Sequence, residues 1–251
     1  MTIPTVSILN VPVHHLTADD LHHHTRRYLL SDQFHHITTV NPEFIMTAQQ
    51  DPIFLDLLQQ TDLNIADGIG ILLAARWRGH PLPQRLPGSE WCYHLAELAA
   101  QLNKRLFLLG AAPGVAEEAA TILQQRYPTL TIAGTYAGSP HPDENDHILN
   151  LINHSQADLL YVAYGAPRQD KWIHRNRDQF TTVRLALGVG GALDFITGRA
   201  IRAPRWIQNL GLEWLHRLYQ EPWRWRRMLA LPHFALKTLT HHNHNSHNKT
   251  K

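Results

Sequence analysis

An aspartate followed by glycines is the first candidate for acid–base chemistry in this sequence. Asp67 ends the apolar run LNIA and precedes Gly68-Ile-Gly70, where a ligand could approach the backbone closely. A carboxylate beside a bound hydroxyl can accept its proton as a general base. An Asp that caps the following helix would show the same pattern. Asp67 is therefore a candidate base, with helix capping as the simpler alternative.

Three other segments carry residues suited to binding an anion or a sugar. Gly110 and Gly114 enclose the turn after RLFLL and predict a diphosphate cradle. They do not complete G-x-G-x-x-G, and a tight strand-to-helix turn would explain both glycines. Gln169 lies in GAPRQDKW, where capping and surface charge are the alternative. Asp194 follows the dense glycines of GVGG, where backbone is expected to pack against a ligand or another strand.

The elements that would position these residues alternate between strand-like and helical patterns. Each apolar run is followed by a plausible helix, which predicts βαβ units and a Rossmann-like, mostly parallel sheet flanked by helices. The runs are TVSILNV, ITTVN, LNIAD, RLFLLG, LTIAGTY, DLLYVAYG and VRLALGVG. In such α/β folds, ligands bind beyond the carboxyl ends of the strands. The candidate residues follow predicted strands and are expected at that edge.

Helix starts are marked at three places after or between these runs. The segment from Thr17 to Asp20 predicts a capping box. Asn41 followed by Pro42 predicts a cap and a first-turn proline. The segment PGSE, residues 87–90, predicts a third start.

Charge is distributed unevenly along the chain. Residues 1–198 carry a net charge of −6, whereas residues 199–251 carry +8 and four of the seven tryptophans. Basic residues interleaved with tryptophans indicate an anionic membrane surface or nucleic acid as partner. A solvated basic helix is the alternative, but exposed tryptophans at this frequency are costly without a partner, so we predict a membrane surface and no nucleic acid. We predict an α/β catalytic domain at 1–198, a helical membrane-binding appendage at 199–240 and a disordered His/Asn-rich tail at 241–251.

The remaining composition indicates a cytoplasmic protein, and with the predicted membrane-binding appendage we expect it on the inner face of the plasma membrane. The single cysteine, Cys92, permits no disulfide within the chain, and no apolar run reaches the length of a membrane span. The N-terminus lacks the pattern of a secretion signal. The histidine tracts at 22–24 and in the tail lack carboxylate or cysteine partners at ligand spacing, and we expect no metal site there.

The ordered set of motifs resembles the WecG/TagA/CpsF glycosyltransferase family over roughly residues 5 to 235. The motifs are TVN, ADGIG, RLPGSE, GAAPG, GAPRQDKW, GVGGALDF and RAPRWIQNLGLEWLHRLYQEPWRWRRM. The resemblance implies a membrane-associated inverting enzyme with a UDP-sugar donor, often UDP-N-acetylmannosamine. Its implied acceptor is a sugar linked to undecaprenyl diphosphate, in the synthesis of teichoic acid linkers, common antigen or exopolysaccharide.

The resemblance also implies roles for particular residues. Asp67 matches the family's proposed base. Polar residues close to the sugar match Thr39, Asn41, Arg85 and Gln169. Appendage arginines that complete the site over the donor diphosphate correspond to Arg217, Arg224 and Arg227. Arg168 and Asp170 stand where members often carry Lys and Glu, which keeps the charge of both positions.

The leaving diphosphate needs a positive partner, and many glycosyltransferases supply it with a metal held by Asp-x-Asp. The sequence contains no Asp-x-Asp. We therefore expect no metal cofactor and assign the role to arginines, Arg85 among them.

Two other functions remain open at this point. A Rossmann-type oxidoreductase predicts an acidic ribose contact after the second strand, where Asn41-Pro42 stands instead. A non-catalytic nucleotide-binding module that recruits partners to membranes explains the basic tail equally well. It gives no reason for Asp67, Arg85 and Gln169 to recur at three strand ends.

Overall fold

The strands form two sheets in the computed structural model, which describes residues 3–209, 212–222 and 225–240. The strands are β1 Thr5–Ile8, β2 Val11–His14, β3 His35–Val40, β4 Leu63–Ala66, β5 Arg105–Gly110, β6 Thr131–Tyr136, β7 Leu159–Ala163 and β8 Leu185–Gly188. The larger sheet has six strands in the order β4-β3-β8-β7-β5-β6, and every neighbouring pair is parallel. The predicted α/β class with a parallel sheet is confirmed.

Helices cover both faces of this sheet. They are α1 Ala18–Leu29, α2 Pro42–Ala48, α3 Pro52–Gln60, α4 Ile69–Trp77, α5 Gly88–Gln101, α6 Val115–Arg126, α7 Pro142–Ser155, α8 Arg168–Asn176, α9 Ala192–Ile196, α10 Arg205–Asn209, α11 Glu213–Gln220, α12 Trp225–Met228 and α13 Ala230–Thr240. One core joins α1, α5, α6 and α9 to the sheet, and another joins α7 and α8 to it. Strands buried on both faces explain the near-continuous apolar runs in the sequence.

The first predicted strand does not belong to the parallel sheet, and no helix follows it directly. β1 instead pairs with β2 as an antiparallel hairpin. Leu9 and Asn10, between the two strands, both have left-handed backbone, with φ of 48° and 67°. A two-residue turn of this kind matches the twist of the hairpin strands. The run TVSILNV therefore contains a strand and a turn, and the prediction of a βα unit there is wrong.

The marked helix starts are confirmed, and the third differs in how it is capped. Thr17 accepts a hydrogen bond from the Asp20 N–H, and the Asp20 carboxylate accepts one from the Thr17 N–H. The Asn41 Oδ1 accepts one from the N–H of Phe44 and begins α2. Helix α5 begins at Gly88, where the preceding proline offers no side-chain cap. Its first N–H therefore needs a partner from elsewhere in the fold.

The last described helix of the basic segment, residues 199–240, packs against the α/β core. α13 packs against α2 and α4, and its Phe234 is only 4% exposed within the core that the hairpin shares with α2, α3 and α4. Residues 199–240 therefore contribute a side chain to the core. Within the described ranges, no helix is long and apolar enough to cross a membrane. The predicted tail at 241–251 lies outside the described residues.

Replacing Phe234 by alanine is expected to lower the free energy of unfolding by about 3 kcal/mol or more, because the truncation leaves a cavity in the core. Leu236 on the same helix is 61% exposed, and its replacement by alanine is expected to change this free energy by less than about 0.5 kcal/mol. Urea unfolding of both variants measures the difference. Equal effects would contradict the packing of α13 on the core.

Candidate active site

A cavity of about 780 Å³ opens at the carboxyl ends of β3, β4, β7 and β8. Loops that follow these strands line it together with residues of α4, α11 and α13. Polar residues predicted from the sequence meet in this cavity. They are Thr39, Asn41, Asp67, Arg85 and Gln169. Its place at the strand ends is the usual location of a ligand site in an open α/β sheet.

Asp67 lies directly after β4, and its N–H donates to the Val40 carbonyl at 2.9 Å. The Asp67 Oδ1 accepts a hydrogen bond of 2.9 Å from the Gly88 N–H, the first residue of α5. Helix α4, which follows Asp67, has Gly68 at its N-cap and receives no side-chain cap. The capping alternative is therefore wrong for α4. The carboxylate joins the end of one strand to the start of a distant helix.

The environment of Asp67 favours the protonated form more than water does. Burial raises its pKa from 3.8 to about 6, the Gly88 hydrogen bond opposes this rise, and the Glu213 carboxylate adds to it. Arg85 and Arg202 act in the opposite direction. A carboxylate with a pKa near neutrality holds a proton more readily than an ordinary one and is still ionised at pH 7. Asp67 is thus suited to act as a general base.

Arg85 enters the cavity from the segment between α4 and α5, so its predicted place at a strand end is wrong. The N–H of the next residue, Leu86, donates to the Ala66 carbonyl at 2.7 Å, which ties this segment to the end of β4. The Arg85 Nη1 lies 3.1 Å from Glu213 Oε2 on α11. The Arg85 guanidinium, which was predicted to bind a diphosphate, therefore pairs with a carboxylate of the appendage.

Arg202 is a second cavity arginine that the sequence analysis did not single out. Its Nε lies 3.3 Å from Glu213 Oε1, and its Nη2 lies 2.9 Å from Glu90 Oε1. A signal for Glu213 was present in the sequence, because residues 199–251 contain only two acidic residues among ten basic ones. A carboxylate in a strongly basic segment is expected to lie near a cation.

Thr39 and Asn41 are held by packing and capping. The Asn41 Oδ1 is used by the Phe44 N–H at the start of α2. Thr39 is 8% exposed and lies so close to Gly88 that a Cβ on the glycine would approach the Thr39 Cγ2 to 2.7 Å. Both residues line the cavity. Their contact with a sugar stays a prediction.

Gln169 braces two loops at the cavity wall. Its Oε1 accepts hydrogen bonds from the Gly165 N–H at 3.1 Å and the Gly190 N–H at 2.9 Å. These glycines follow β7 and β8, so one side chain fixes the ends of both strands. Gln169 is only 2% exposed, and its carbonyl oxygen is fully engaged by the protein.

Other predicted site residues do not line this cavity. Gly110 and Gly114 lie in the turn between β5 and α6 with φ of 94° and 84°, which a residue with a Cβ rarely adopts. The tight-turn alternative accounts for both, and the diphosphate cradle stays a prediction. Asp194 lies in α9, outside the lining. Arg224 lies outside the described residues, as do the side chains of Arg217 and Arg227.

The described part of the chain holds no cluster of three His, Cys, Asp or Glu residues arranged to bind a metal ion. The absence of a metal cofactor stays a prediction.

The chain matches a known protein family along most of its length. The model of the Glycosyl transferase WecG/TagA/CpsF family matches residues 6–248. The chain belongs to this family. Membership supports a glycosyltransferase over the oxidoreductase and the non-catalytic module, and it confirms the resemblance drawn from the motifs.

Curated relatives of this glycosyltransferase share one name, N-acetylglucosaminyldiphosphoundecaprenol N-acetyl-beta-D-mannosaminyltransferase. The protein of Bacillus subtilis (strain 168) is 35% identical over 203 residues, 81% of this chain and 78% of the relative. That of Bacillus spizizenii is 35% identical over 214 residues, 85% and 82% of the two chains. That of Staphylococcus aureus (strain MW2) is 33% identical over 201 residues, 80% and 78%.

Replacing Asp67 by asparagine is expected to lower the turnover of sugar transfer by roughly 100-fold or more, because an amide cannot accept the proton. The wild-type rate should rise as the pH increases through about 6, where the Asp67 carboxylate loses its proton. Initial rates across pH 5 to 8 measure both effects.

The stability of the same variant provides the control. Because the folded-state pKa lies above the ordinary value of 3.8, ionised Asp67 costs stability at pH 7, and this cost is relieved as the pH falls from about 6 to 3.8. The asparagine variant should therefore melt no lower than the wild type at pH 7. Near-normal turnover in a folded variant would remove Asp67 from the mechanism.

Proposed function

We propose that this glycosyltransferase moves N-acetylmannosamine or a related hexose from a UDP-sugar to a saccharide linked to undecaprenyl diphosphate, with inversion at the anomeric carbon. The observation that carries the proposal is the place of Asp67, a carboxylate at the strand ends that lines one cavity with Arg85. Burial raises the pKa of this carboxylate to about 6, which suits a base. Family membership supports the reaction class. The shared name of the curated relatives supports both the sugar and the lipid-linked acceptor.

The reaction is a single displacement at the anomeric carbon. Asp67 accepts the proton of the acceptor hydroxyl while the hydroxyl oxygen bonds to the anomeric carbon from the side opposite the diphosphate. The bond between that carbon and the diphosphate oxygen breaks, and its electron pair leaves with UDP. Asp67 then returns its proton to solvent, which a pKa of about 6 permits at pH 7.

The departing diphosphate gains negative charge, and positive groups that face it lower the barrier. Arg85 lies in the same cavity as Asp67 and carries a guanidinium whose planar fork fits phosphate oxygens. It supplies the charge that a metal ion supplies in many other glycosyltransferases.

An apolar mouth on the same cavity suits the lipid of the acceptor. Leu73 and Trp77 on α4 and Leu239 on α13 line the cavity and are 60%, 70% and 49% exposed. Large apolar side chains grouped at a cavity entrance favour an apolar ligand. We assign them to the first isoprene units of the acceptor, whose diphosphate and sugar then extend inward to Asp67.

The basic segment places the enzyme on the membrane that holds this acceptor. Trp206, Trp214 and Trp225 are 64%, 39% and 53% exposed in a stretch of net positive charge. Amphipathic rings and cations together favour an anionic lipid surface. The proposed location is the inner face of the plasma membrane, where UDP-sugars are available.

Incubation of the purified protein with a set of UDP-sugars and a short-chain prenyl-diphosphate N-acetylglucosamine tests the function. We expect UDP release that requires both substrates, persists in excess EDTA and yields a product of inverted anomeric configuration by NMR. Asp67→Asn is the matched control. UDP release without acceptor would indicate a hydrolase, and binding of UDP without any turnover would favour the non-catalytic module.

Replacing Trp77 by serine is expected to raise KM for a long-chain prenyl acceptor by roughly 10-fold, because buried apolar area is lost. KM for a soluble acceptor with a very short chain should hardly change. Ile53→Ser is the control, because Ile53 is 72% exposed and lies outside the cavity lining. Equal effects of the two variants on the long-chain acceptor would contradict the assignment of the mouth.

A further inference from the structure

One carboxylate bridges the two arginines that line the cavity in the described part of the chain. Glu213 presents Oε2 to the Arg85 Nη1 at 3.1 Å and Oε1 to the Arg202 Nε at 3.3 Å. All three side chains are between 21% and 30% exposed. The two guanidiniums thus converge on one small anion that stands between them.

The geometry of this bridge is one that a phosphate group also satisfies. Guanidinium groups bind carboxylate and phosphate oxygens through the same planar fork. The two arginines reach the bridge from different segments, Arg85 from before α5 and Arg202 from after α9. The carboxylate comes from a third segment, the first residue of α11. Two fixed cations and an anion on another element make a site whose occupant can be exchanged.

The charges around the bridge do not leave room for a second anion. Glu90 lies 2.9 Å from the Arg202 Nη2. Burial raises the pKa of Asp67 most, the Glu213 carboxylate raises it further, and both arginines lower it. A diphosphate that entered beside Glu213 would place like charges within a few ångströms of each other, which is strongly unfavourable at a half-buried site. An anion can use both arginines only if Glu213 leaves.

We propose that Arg85 and Arg202 together form the binding site for the diphosphate of the donor, and that Glu213 occupies this site until the diphosphate displaces it. The inference rests on the proposed function, because that function supplies a diphosphate. Glu213 is an internal competitor that lowers the apparent affinity of the free protein for the anion. Its displacement also frees the start of α11.

Release of α11 changes the part of the cavity that this helix lines. Leu212, Trp214 and His216 flank Glu213 and line the cavity. Once the ion pairs with Glu213 are broken, this wall is no longer fixed to the two arginines. Binding of the donor is thereby coupled to the shape of the space that remains for the acceptor.

Calorimetric titration of the full-length protein with inorganic pyrophosphate and with UDP tests the exchange. Glu213→Gln keeps the size of the side chain and removes its charge, and we expect it to bind both probes about 3- to 10-fold more tightly. Glu97→Gln is the matched control, because Glu97 is an exposed carboxylate on α5 outside the cavity. Unchanged or weaker binding to Glu213→Gln would overturn the competitor role.

The role of Arg202 has its own measurement. Arg202→Gln should weaken the binding of both probes by about 10-fold or more, and Arg202→Lys should restore part of the loss. If Arg202 only held α11 in place through Glu213, the Arg202→Gln substitution would not weaken binding in a Glu213→Gln background. That outcome would overturn the assignment of Arg202.

Hydrogen exchange of residues 212–222 reports the release of α11. Saturating pyrophosphate should increase exchange there in the wild type, and the Glu213→Gln variant should show the increase without the anion. Exchange that falls or stays constant would overturn the release. Tighter pyrophosphate binding by Glu213→Gln with no transfer from any UDP-sugar would support the exchange while overturning the proposed function. Transfer with no effect of Glu213→Gln on affinity would do the reverse.

Discussion

Close backbone approach at the strand ends is the constraint on which the cavity depends. A Cβ on Gly88 would lie 2.7 Å from the Thr39 Cγ2, and one on Gly188 would lie 2.5 Å from the Gln169 Nε2. Separations this short force neighbouring groups to move. Because glycines stand at these positions, the starts of α5 and α8 lie directly against the sheet. Only this proximity allows the Gly88 N–H to reach Asp67 at 2.9 Å.

The same closeness determines the electrostatics of the cavity. Glu213 is paired with both Arg85 and Arg202, and its charge raises the pKa of Asp67 while the two arginines lower it. These charges do not offset the desolvation of Asp67, and its pKa rises to about 6. A site that keeps one carboxylate close to its protonation point in this way is also unfavourable for an additional anion. The raised pKa of Asp67 and the pairing of Glu213 with the two arginines thus follow from the same arrangement of charges.

The sequence predicts features that depend on local residue patterns and misses contacts between residues far apart in the chain. Strand ends follow from apolar runs, and they place Asp67 and Gln169 correctly in one cavity. The hairpin was missed because its turn uses Leu9 and Asn10 in left-handed conformation without the glycine that usually marks such turns. The pairing of Glu213 with Arg85 spans 128 residues and has no local signature. The sole hint was an acidic residue in a basic segment.

The docking of α13 on α2 and α4 means that the basic segment is attached to the α/β core at both ends. Glu213 lies within this span and is therefore a tethered ligand with a high effective concentration at the arginines. For a short flexible connection this concentration is on the order of millimolar, and it falls as the connection lengthens. A free anion competes with Glu213 at this effective concentration. The length of chain between Gly198 and Ala230 therefore sets the range of anion concentration over which the two arginines exchange Glu213 for the anion.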